Sequence, residues 1–98
     1  MSAFVQLVEM STSRIDEMQR FHEEWRERNP DRLLDWSVLG QDRDNPGKYV
    51  VIVHFENYEV AMKNSADPRT AEYAATMEEL SDGPVTFRNL DVVMTEGM

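Results

Sequence analysis

His54 is the residue whose type and position most directly suggest chemistry. It interrupts the apolar run Tyr49-Val-Val-Ile-Val-His-Phe55 near its end. An imidazole has an unperturbed pKa of about 6.5, so it can accept and release a proton at neutral pH. The position therefore predicts a general base. The alternative is a histidine at the end of a strand that is hydrogen-bonded or half exposed and takes no part in chemistry.

Aromatic and methionine side chains at helical spacing indicate a place for a flat, apolar ligand. Together with aromatic residues of two strands, they are expected to line a cavity between a helix and a sheet. A tyrosine hydroxyl in such a cavity would orient a phenol or a quinone, and Tyr73 is our catalytic candidate of this kind. The alternative is that the stripe is ordinary core. The side chains are Tyr58, Met62, Tyr73, Met77, Trp36 and Phe87.

Two polar residues are candidate anchors for an anionic intermediate. Asn64 lies at a predicted break in the second helical region, and Arg88 lies in the last predicted strand. An arginine can hold a carboxylate or another anion through two hydrogen bonds. The plainer interpretation makes Asn64 a helix cap and Arg88 a surface or interface charge.

Metal, phosphate and thiol chemistry have little support. His22 lies beside Trp25 on the apolar stripe of the first helix, which is typical of a histidine packed in or beside a core. No carboxylate spacing accompanies His22 and His54, so no metal site is expected. The sequence has no cysteine, no Gly-rich phosphate loop and no G-x-S-x-G motif. We therefore expect no cofactor and no metal.

Composition narrows the partners. The chain has 98 residues and a net charge of −9, which disfavours binding to nucleic acid and to acidic membrane surfaces. It shows no signal peptide and no apolar stretch near the ~20 residues of a membrane span. We expect a single domain over residues 1–98 and a cytoplasmic protein.

Periodicity and turn signals predict the order β-α-β-β-α-β. Ser13, with Asp16 three residues later, is expected to cap the first helix, and Asn57 and Asp67-Pro68 are expected to cap two helical pieces of the second. This order is typical of an α+β ferredoxin-like fold, in which a four-stranded antiparallel sheet carries two helices on one face. The predicted strands are 3–10, 33–41, 48–56 and 85–95.

The strand 48–56 also predicts a partner subunit. Val50, Val51, Ile52 and Val53 make it apolar on both faces, whereas a strand with one wet face would alternate. The predicted helices suffice to cover only one face of the sheet. We therefore expect a homodimer in which a second copy covers the open face.

The order of elements and two short motifs resemble the dimeric α/β-barrel superfamily, and within it the antibiotic-biosynthesis-monooxygenase-like group. The motifs are Phe55-Glu56-Asn57 at the end of the third strand and Ser65-Ala-Asp-Pro68 at the helix break. The resemblance implies a dimer whose sheets form a barrel, with a small-molecule cavity between each sheet and its own helices. The group includes cofactor-independent oxygenases, haem-degrading enzymes and members without an established activity.

Haem degradation is disfavoured by the residues at the corresponding positions. The haem-degrading members use an asparagine, a tryptophan and a histidine, and an ungapped comparison places these at Gln6, Asn64 and Ala74. Ala74 cannot bind iron, whereas Gln6 keeps a hydrogen-bond donor and is retained as a substrate-binding candidate.

The sequence thus leads to two hypotheses of different classes. In the first, a cofactor-independent monooxygenase deprotonates a small aromatic or polyketide-like substrate, and the resulting carbanion reacts with O₂. His54 or Tyr73 would assist the proton transfer, and Asn64 or Arg88 would stabilise the anion. In the second, the chain is a non-catalytic dimer that binds a metabolite or a partner protein. A titratable group with a shifted pKa beside a cavity would favour the first hypothesis.

Overall fold

A computed structural model describes residues 2–97 of the chain. Their four strands form one antiparallel sheet with the strand order β2-β3-β1-β4. This arrangement confirms the expected α+β, ferredoxin-like fold. The terminal residues of the predicted domain, Met1 and Met98, lie outside the described residues. The elements in chain order are β1 (Phe4–Ser11), α1 (Ile15–Arg28), β2 (Trp36–Gln41), β3 (Lys48–Phe55), α2 (Tyr58–Ala66), α3 (Pro68–Glu79) and β4 (Thr86–Asp91).

The pairing of the strands assigns every strand residue to one of two faces. Because successive side chains of a strand point to opposite sides, residues directly opposite each other on paired strands share a face. Gln6 pairs with Val53 and with Asn89, whereas Leu7 pairs with Ile52 and with Arg88. We call the two sides the helix face, which contains Gln6 and Val53, and the open face, which contains Leu7 and Ile52.

All three helices pack on the helix face. Met10 and Tyr49 of the sheet form one buried cluster with Met18 of α1 and Met77 of α3. At the other end of the sheet, a second buried cluster contains Phe4, Phe55 and Ala61, the last from α2. The space between the two clusters is where the candidate site lies.

The start of α1 differs from the prediction. The helix begins at Ile15, and Arg14 at the N-cap position makes no side-chain cap hydrogen bond. Thr12 is buried at this turn, and its hydroxyl takes part in two hydrogen bonds. It accepts from the Arg14 N–H at 2.9 Å and donates to the Leu80 carbonyl at 2.7 Å. The expected capping box at Ser13 was wrong because Ser13 instead donates to Asp82 at 3.3 Å.

The break in the second helical region is confirmed together with both of its caps, but α2 continues to Ala66, so Asn64 lies inside the helix and neither at the break nor at the C-cap. The Asn57 side chain accepts from the Val60 N–H at 2.9 Å, and the Asp67 side chain accepts from the Arg69 N–H at 2.9 Å. Pro68 follows Asp67 at the start of α3, where its missing N–H removes no helical hydrogen bond.

Two strands are shorter than expected. β2 begins at Trp36 rather than at residue 33, and β4 ends at Asp91 rather than at residue 95. Beyond the ladder, Val92 still donates to the Ala3 carbonyl at 2.9 Å, but Val93 is 97% exposed. The prediction was too long because the apolar residues after Asp91 continue the hydrophobic pattern of a strand, although the pairing with β1 ends at Asp91. Among residues 2–97, no helix is long and apolar enough to span a membrane.

The caps give a direct stability test. Asn57→Ala removes a hydrogen bond to an otherwise unpaired N–H at the start of a helix and should lower the free energy of unfolding by about 1 kcal/mol. Ser13→Ala is the matched control and should change it by less than about 0.5 kcal/mol, because Ser13 caps no helix and its hydrogen bond is exposed. Urea denaturation of both variants measures this difference. A loss at Ser13 equal to that at Asn57 would contradict the assigned start of α1.

Candidate functional site

A cavity lies between the helix face of the sheet and the helices. Its volume is about 140 Å³, measured as the space that the centre of a water molecule can occupy. Val8, Val51 and Val53 form part of its floor, and Met77 and Ala74 of α3 form part of its roof. The cavity is thus mainly apolar, and its few polar groups decide which chemistry it supports.

Tyr73 and His22 form a hydrogen-bonded pair in the wall of this cavity. The Tyr73 hydroxyl lies 2.7 Å from Nδ1 of His22, which brings together a residue of α3 and a residue of α1. Which of the two groups donates depends on the tautomer of the imidazole. With the proton on Nδ1, His22 donates to the Tyr73 oxygen, and the Tyr73 O–H is free to donate to a ligand.

Aromatic rings fix the position of Tyr73. Its ring centroid lies 5.3 Å from that of Trp25 and 5.5 Å from that of Phe21, with the Phe21 ring stacked at an interplanar angle of 29°. Contacts of this kind stabilise aromatic pairs beyond the burial of their surface. The hydroxyl therefore has little freedom to leave His22.

Burial shifts the pKa values of both members of the pair. It raises the pKa of the Tyr73 hydroxyl to about 12, so this group is protonated at neutral pH. Burial is also the largest effect on His22 and lowers its pKa below 6.5, and the positive charges of Arg32 and Arg26 act in the same direction. At neutral pH the site therefore holds a neutral imidazole, which is a base, next to a phenol, which is a proton donor.

An arginine at the cavity's edge joins the elements that carry this pair. Arg69 donates to Asp67 at 2.7 Å, to Asp31 at 2.9 Å and to Asn29 at 3.0 Å. Asn29 in turn donates to the Trp25 carbonyl at 2.9 Å. The guanidinium of Arg69 holds the pKa values of Asp31 and Asp67 below their usual range, so one positive charge is engaged by two negative ones.

Five predicted site residues meet in the cavity. Tyr73 and Met77 project from α3, Asn64 from α2, and Gln6 and Phe87 from the sheet. Gln6 donates to the Asn89 side chain at 3.1 Å, so its amide is already oriented by β4.

Three other predicted residues lie on the open face. Trp36 pairs with His54 across β2 and β3, and Arg88 pairs with Leu7 across β4 and β1. Because these positions alternate with the residues that line the cavity, none of the three lines it, contrary to the expectation of a catalytic His54 and of substrate contacts at Trp36 and Arg88. His54 is engaged there by Asp35, whose carboxylate lies 2.9 Å from Nδ1, and by the stacked Trp36 ring at 4.8 Å.

Tyr58 and Met62 differ from the prediction as well. Both residues belong to α2 and pack at the second buried cluster rather than in the cavity, with the Tyr58 ring edge-on to Phe4 at 5.5 Å. The break after Ala66 separates α2 from α3, so one stripe of residues does not continue from Tyr58 to Met77.

Sequence reasoning missed two functional candidates, His22 and Arg32. His22 was interpreted as a packed histidine, and the pairing with Tyr73 joins residues that are far apart in the chain. Arg32 lines the cavity from the segment between α1 and β2. It follows the pattern of an ordinary loop residue, so no local signal distinguishes it.

Solved structures share the fold of this chain over nearly its whole length. A mutant of SnoaB, a cofactor-independent oxygenase from Streptomyces nogalater, is 13% identical with a TM-score of 0.81, and the match covers 97% of each chain. A candidate antibiotic biosynthesis monooxygenase from Caulobacter crescentus is 11% identical with a TM-score of 0.79, covering 95% of this chain and 92% of its own. A conserved protein from Methanosarcina mazei is 11% identical with a TM-score of 0.78, covering 93% of each chain.

The chain has the antibiotic biosynthesis monooxygenase-like fold. The expected resemblance to this group is therefore confirmed for the fold. No protein-family model matches the chain, and no curated protein matches it significantly. At identities of 11% and 13% the likeness concerns the fold alone, so the reaction must be argued from the residues of the cavity.

The lowered pKa of His22 can be measured directly. NMR titration should show an imidazole signal with a midpoint below 6.5, and that signal should be absent from the His22→Gln variant. Since the folded state resists protonation of His22, the free energy of unfolding should fall as the pH drops from 6.5 to the lower folded pKa and should stop falling below it. His54→Gln is the control and should leave the low-pH midpoint in place. A His22 midpoint at or above 6.5 would contradict the assigned burial.

Proposed function

We propose that this protein is a cofactor-independent monooxygenase-like enzyme that acts on a small aromatic substrate in the cavity of the helix face. The observation that supports the proposal most is the His22–Tyr73 pair, because it places a neutral base and a proton donor, both with shifted pKa values, in an apolar cavity. The alternative hypothesis, a non-catalytic binding protein, requires an apolar cavity but no such pair.

The proposed reaction begins with removal of a proton from the substrate. The substrate is an electron-rich aromatic compound with an acidic C–H or O–H group, and its proton passes to His22 either directly or through the Tyr73 hydroxyl. The Asn64 amide, which also lines the cavity, donates a hydrogen bond to the oxygen on which negative charge develops. His22 takes this role instead of His54 because His54 lies on the open face, so the sheet stands between it and the cavity.

The deprotonated substrate then reduces O₂. For a methylene carbon, the carbanion transfers electrons to O₂, a C–O bond forms, and loss of water yields a ketone. One oxygen atom enters the product and the other leaves as water, so substrate and O₂ together balance the reaction. The apolar lining favours O₂ and excludes bulk water from the carbanion.

The size of the cavity favours one aromatic ring over a polycyclic substrate. A volume of about 140 Å³ is close to that of an engineered cavity of about 150 Å³ that binds benzene. Additional rings of a larger, polyketide-like substrate would extend towards the solvent.

Two matched variants test the proton transfer. Oxygen consumption with a panel of one-ring and three-ring phenols and aryl ketones should fall by roughly 100-fold or more in His22→Gln and in Tyr73→Phe. His54→Gln should keep at least half of the activity because His54 does not line the cavity. Equal losses in His22→Gln and His54→Gln would refute the assignment of the base, and binding of the panel without any O₂ uptake would favour the binding-protein hypothesis.

We also propose that the open face is covered by a second copy of the chain. It exposes Trp36 at 43%, Val38 at 52% and Leu90 at 40%, and the partly buried Leu7 and Ile52 lie between them. An apolar surface of this kind on a four-stranded sheet is typical of an interface. We therefore propose that the protein is a homodimer in solution, as the apolar residues on both faces of β3 predict.

A charge placed at the centre of the open face should dissociate this dimer. Ile52→Lys would bury an unpaired ammonium group in the interface, and sedimentation velocity at micromolar concentration should then show a monomer. Ala75→Lys adds the same charge to the exposed side of α3 and should leave the dimer intact. A wild-type protein that sediments as a monomer would contradict the proposal.

A further inference from the structure

Arg32 differs from every other charged residue at the cavity. It lines the cavity with a half-buried side chain, and within residues 2–97 its guanidinium has neither an ion pair within 4.0 Å nor a side-chain hydrogen bond. The cavity's other arginine, Arg69, is engaged by Asp31 and Asp67. Arg32 is therefore a cation at the cavity whose N–H donors are engaged by no side chain of residues 2–97.

The charged groups around Arg32 also differ from those around Arg69. The ionisable groups that act on it are Arg26, which repels it, and Tyr73, which is protonated at neutral pH, whereas no acid contributes. Burial lowers the pKa of its guanidinium, although an arginine stays charged at any physiological pH. In a chain with a net charge of −9, an unpaired cation that has lost part of its water faces an apolar cavity.

We propose that Arg32 binds the anionic group of the ligand, so that the cavity selects small aromatic carboxylates or related anions over neutral aromatic compounds. A guanidinium offers a planar pair of N–H donors that matches a carboxylate, and such charge-assisted bonds are stronger in a poorly solvated site. The ring of the ligand then occupies the apolar space between the sheet and α3. The inference specifies the substrate class for the proposed function, but it concerns binding and does not require turnover.

The position of Arg32 also links ligand charge to His22. The charge of Arg32 is one of the effects that lower the His22 pKa. An anion bound at Arg32 offsets that charge and should raise the His22 pKa, whereas a neutral ligand of the same shape should not. A carboxylate ligand would thereby make the imidazole a stronger base at the moment of binding.

Paired probes test the selection in the absence of turnover. Isothermal titration calorimetry under anaerobic conditions compares 4-hydroxybenzoate with 4-hydroxybenzamide, which has nearly the same shape and no charge. The wild-type protein should bind the carboxylate roughly 10- to 100-fold more tightly. Arg32→Gln should remove this preference and Arg32→Lys should retain part of it. Arg43→Gln, which removes the same charge from an exposed turn, should leave it unchanged.

A second measurement uses the wild-type protein alone, so it does not depend on whether the Arg32 variants fold. NMR titration of His22 in the wild-type protein should show a higher pKa with 4-hydroxybenzoate bound than with 4-hydroxybenzamide bound. Three results would each overturn the inference. They are equal affinity for the two probes, a preference that survives Arg32→Gln, and no binding of either probe at a ligand concentration of about 10 mM. Tight carboxylate binding, together with no O₂ uptake by any member of the substrate panel, would uphold it and contradict the proposed oxygenase.

Discussion

The alternation of side chains across the four-stranded sheet is the constraint on which every functional assignment depends. Gln6, Val8 and Val53 lie under the helices, while Leu7, Ile52 and His54 lie on the opposite side. A residue next to a cavity residue in the sequence therefore lies outside the cavity. In contrast, His22 and Tyr73, which are 51 positions apart in the sequence, are direct hydrogen-bond partners in it. Because a strand cannot slip by one residue without exposing its buried clusters, this division is strongly fixed.

The same packing that fixes the division creates the chemistry. Tyr73 is held by the rings of Phe21 and Trp25, and their contacts remove water from the Tyr73–His22 pair. Loss of water disfavours the charged form of each group, so it raises the pKa of the phenol and lowers that of the imidazole, and both groups are neutral at neutral pH. Meanwhile Arg69 joins the end of α1 to the start of α3 through hydrogen bonds to Asn29, Asp31 and Asp67. Because Arg69 is engaged in this way, Arg32 is the cation available to a ligand.

Local signals predicted the fold well. The caps at Asn57 and Asp67, the helix break and the two-sided apolar β3 strand are encoded by short stretches, and each was found where expected. The errors also have local causes. Ser13 resembles an N-cap but is drawn towards Asp82, and the apolar residues after Asp91 continue a strand pattern beyond the last partner strand.

The site was harder to predict because it depends on contacts between distant elements. His54 is conspicuous in the sequence since it is polar within an apolar run, but its face follows from the register of β1 against β3 and of β2 against β3. His22 is inconspicuous since it continues a helical stripe, and only the approach of α3 gives it Tyr73 as a partner. Arg32 follows no periodicity at all. Charge and burial in the folded chain identify it.

A structure of the protein with 4-hydroxybenzoate bound would test the central claim most directly, namely that the helix-face cavity and its polar groups form the functional site. We predict that the ring lies between the sheet and α3, with its carboxylate at Arg32 and with the Tyr73 hydroxyl within hydrogen-bond distance of the ligand. A ligand bound on the open face beside His54, or a cavity that the ligand leaves empty at saturating concentration, would contradict the claim.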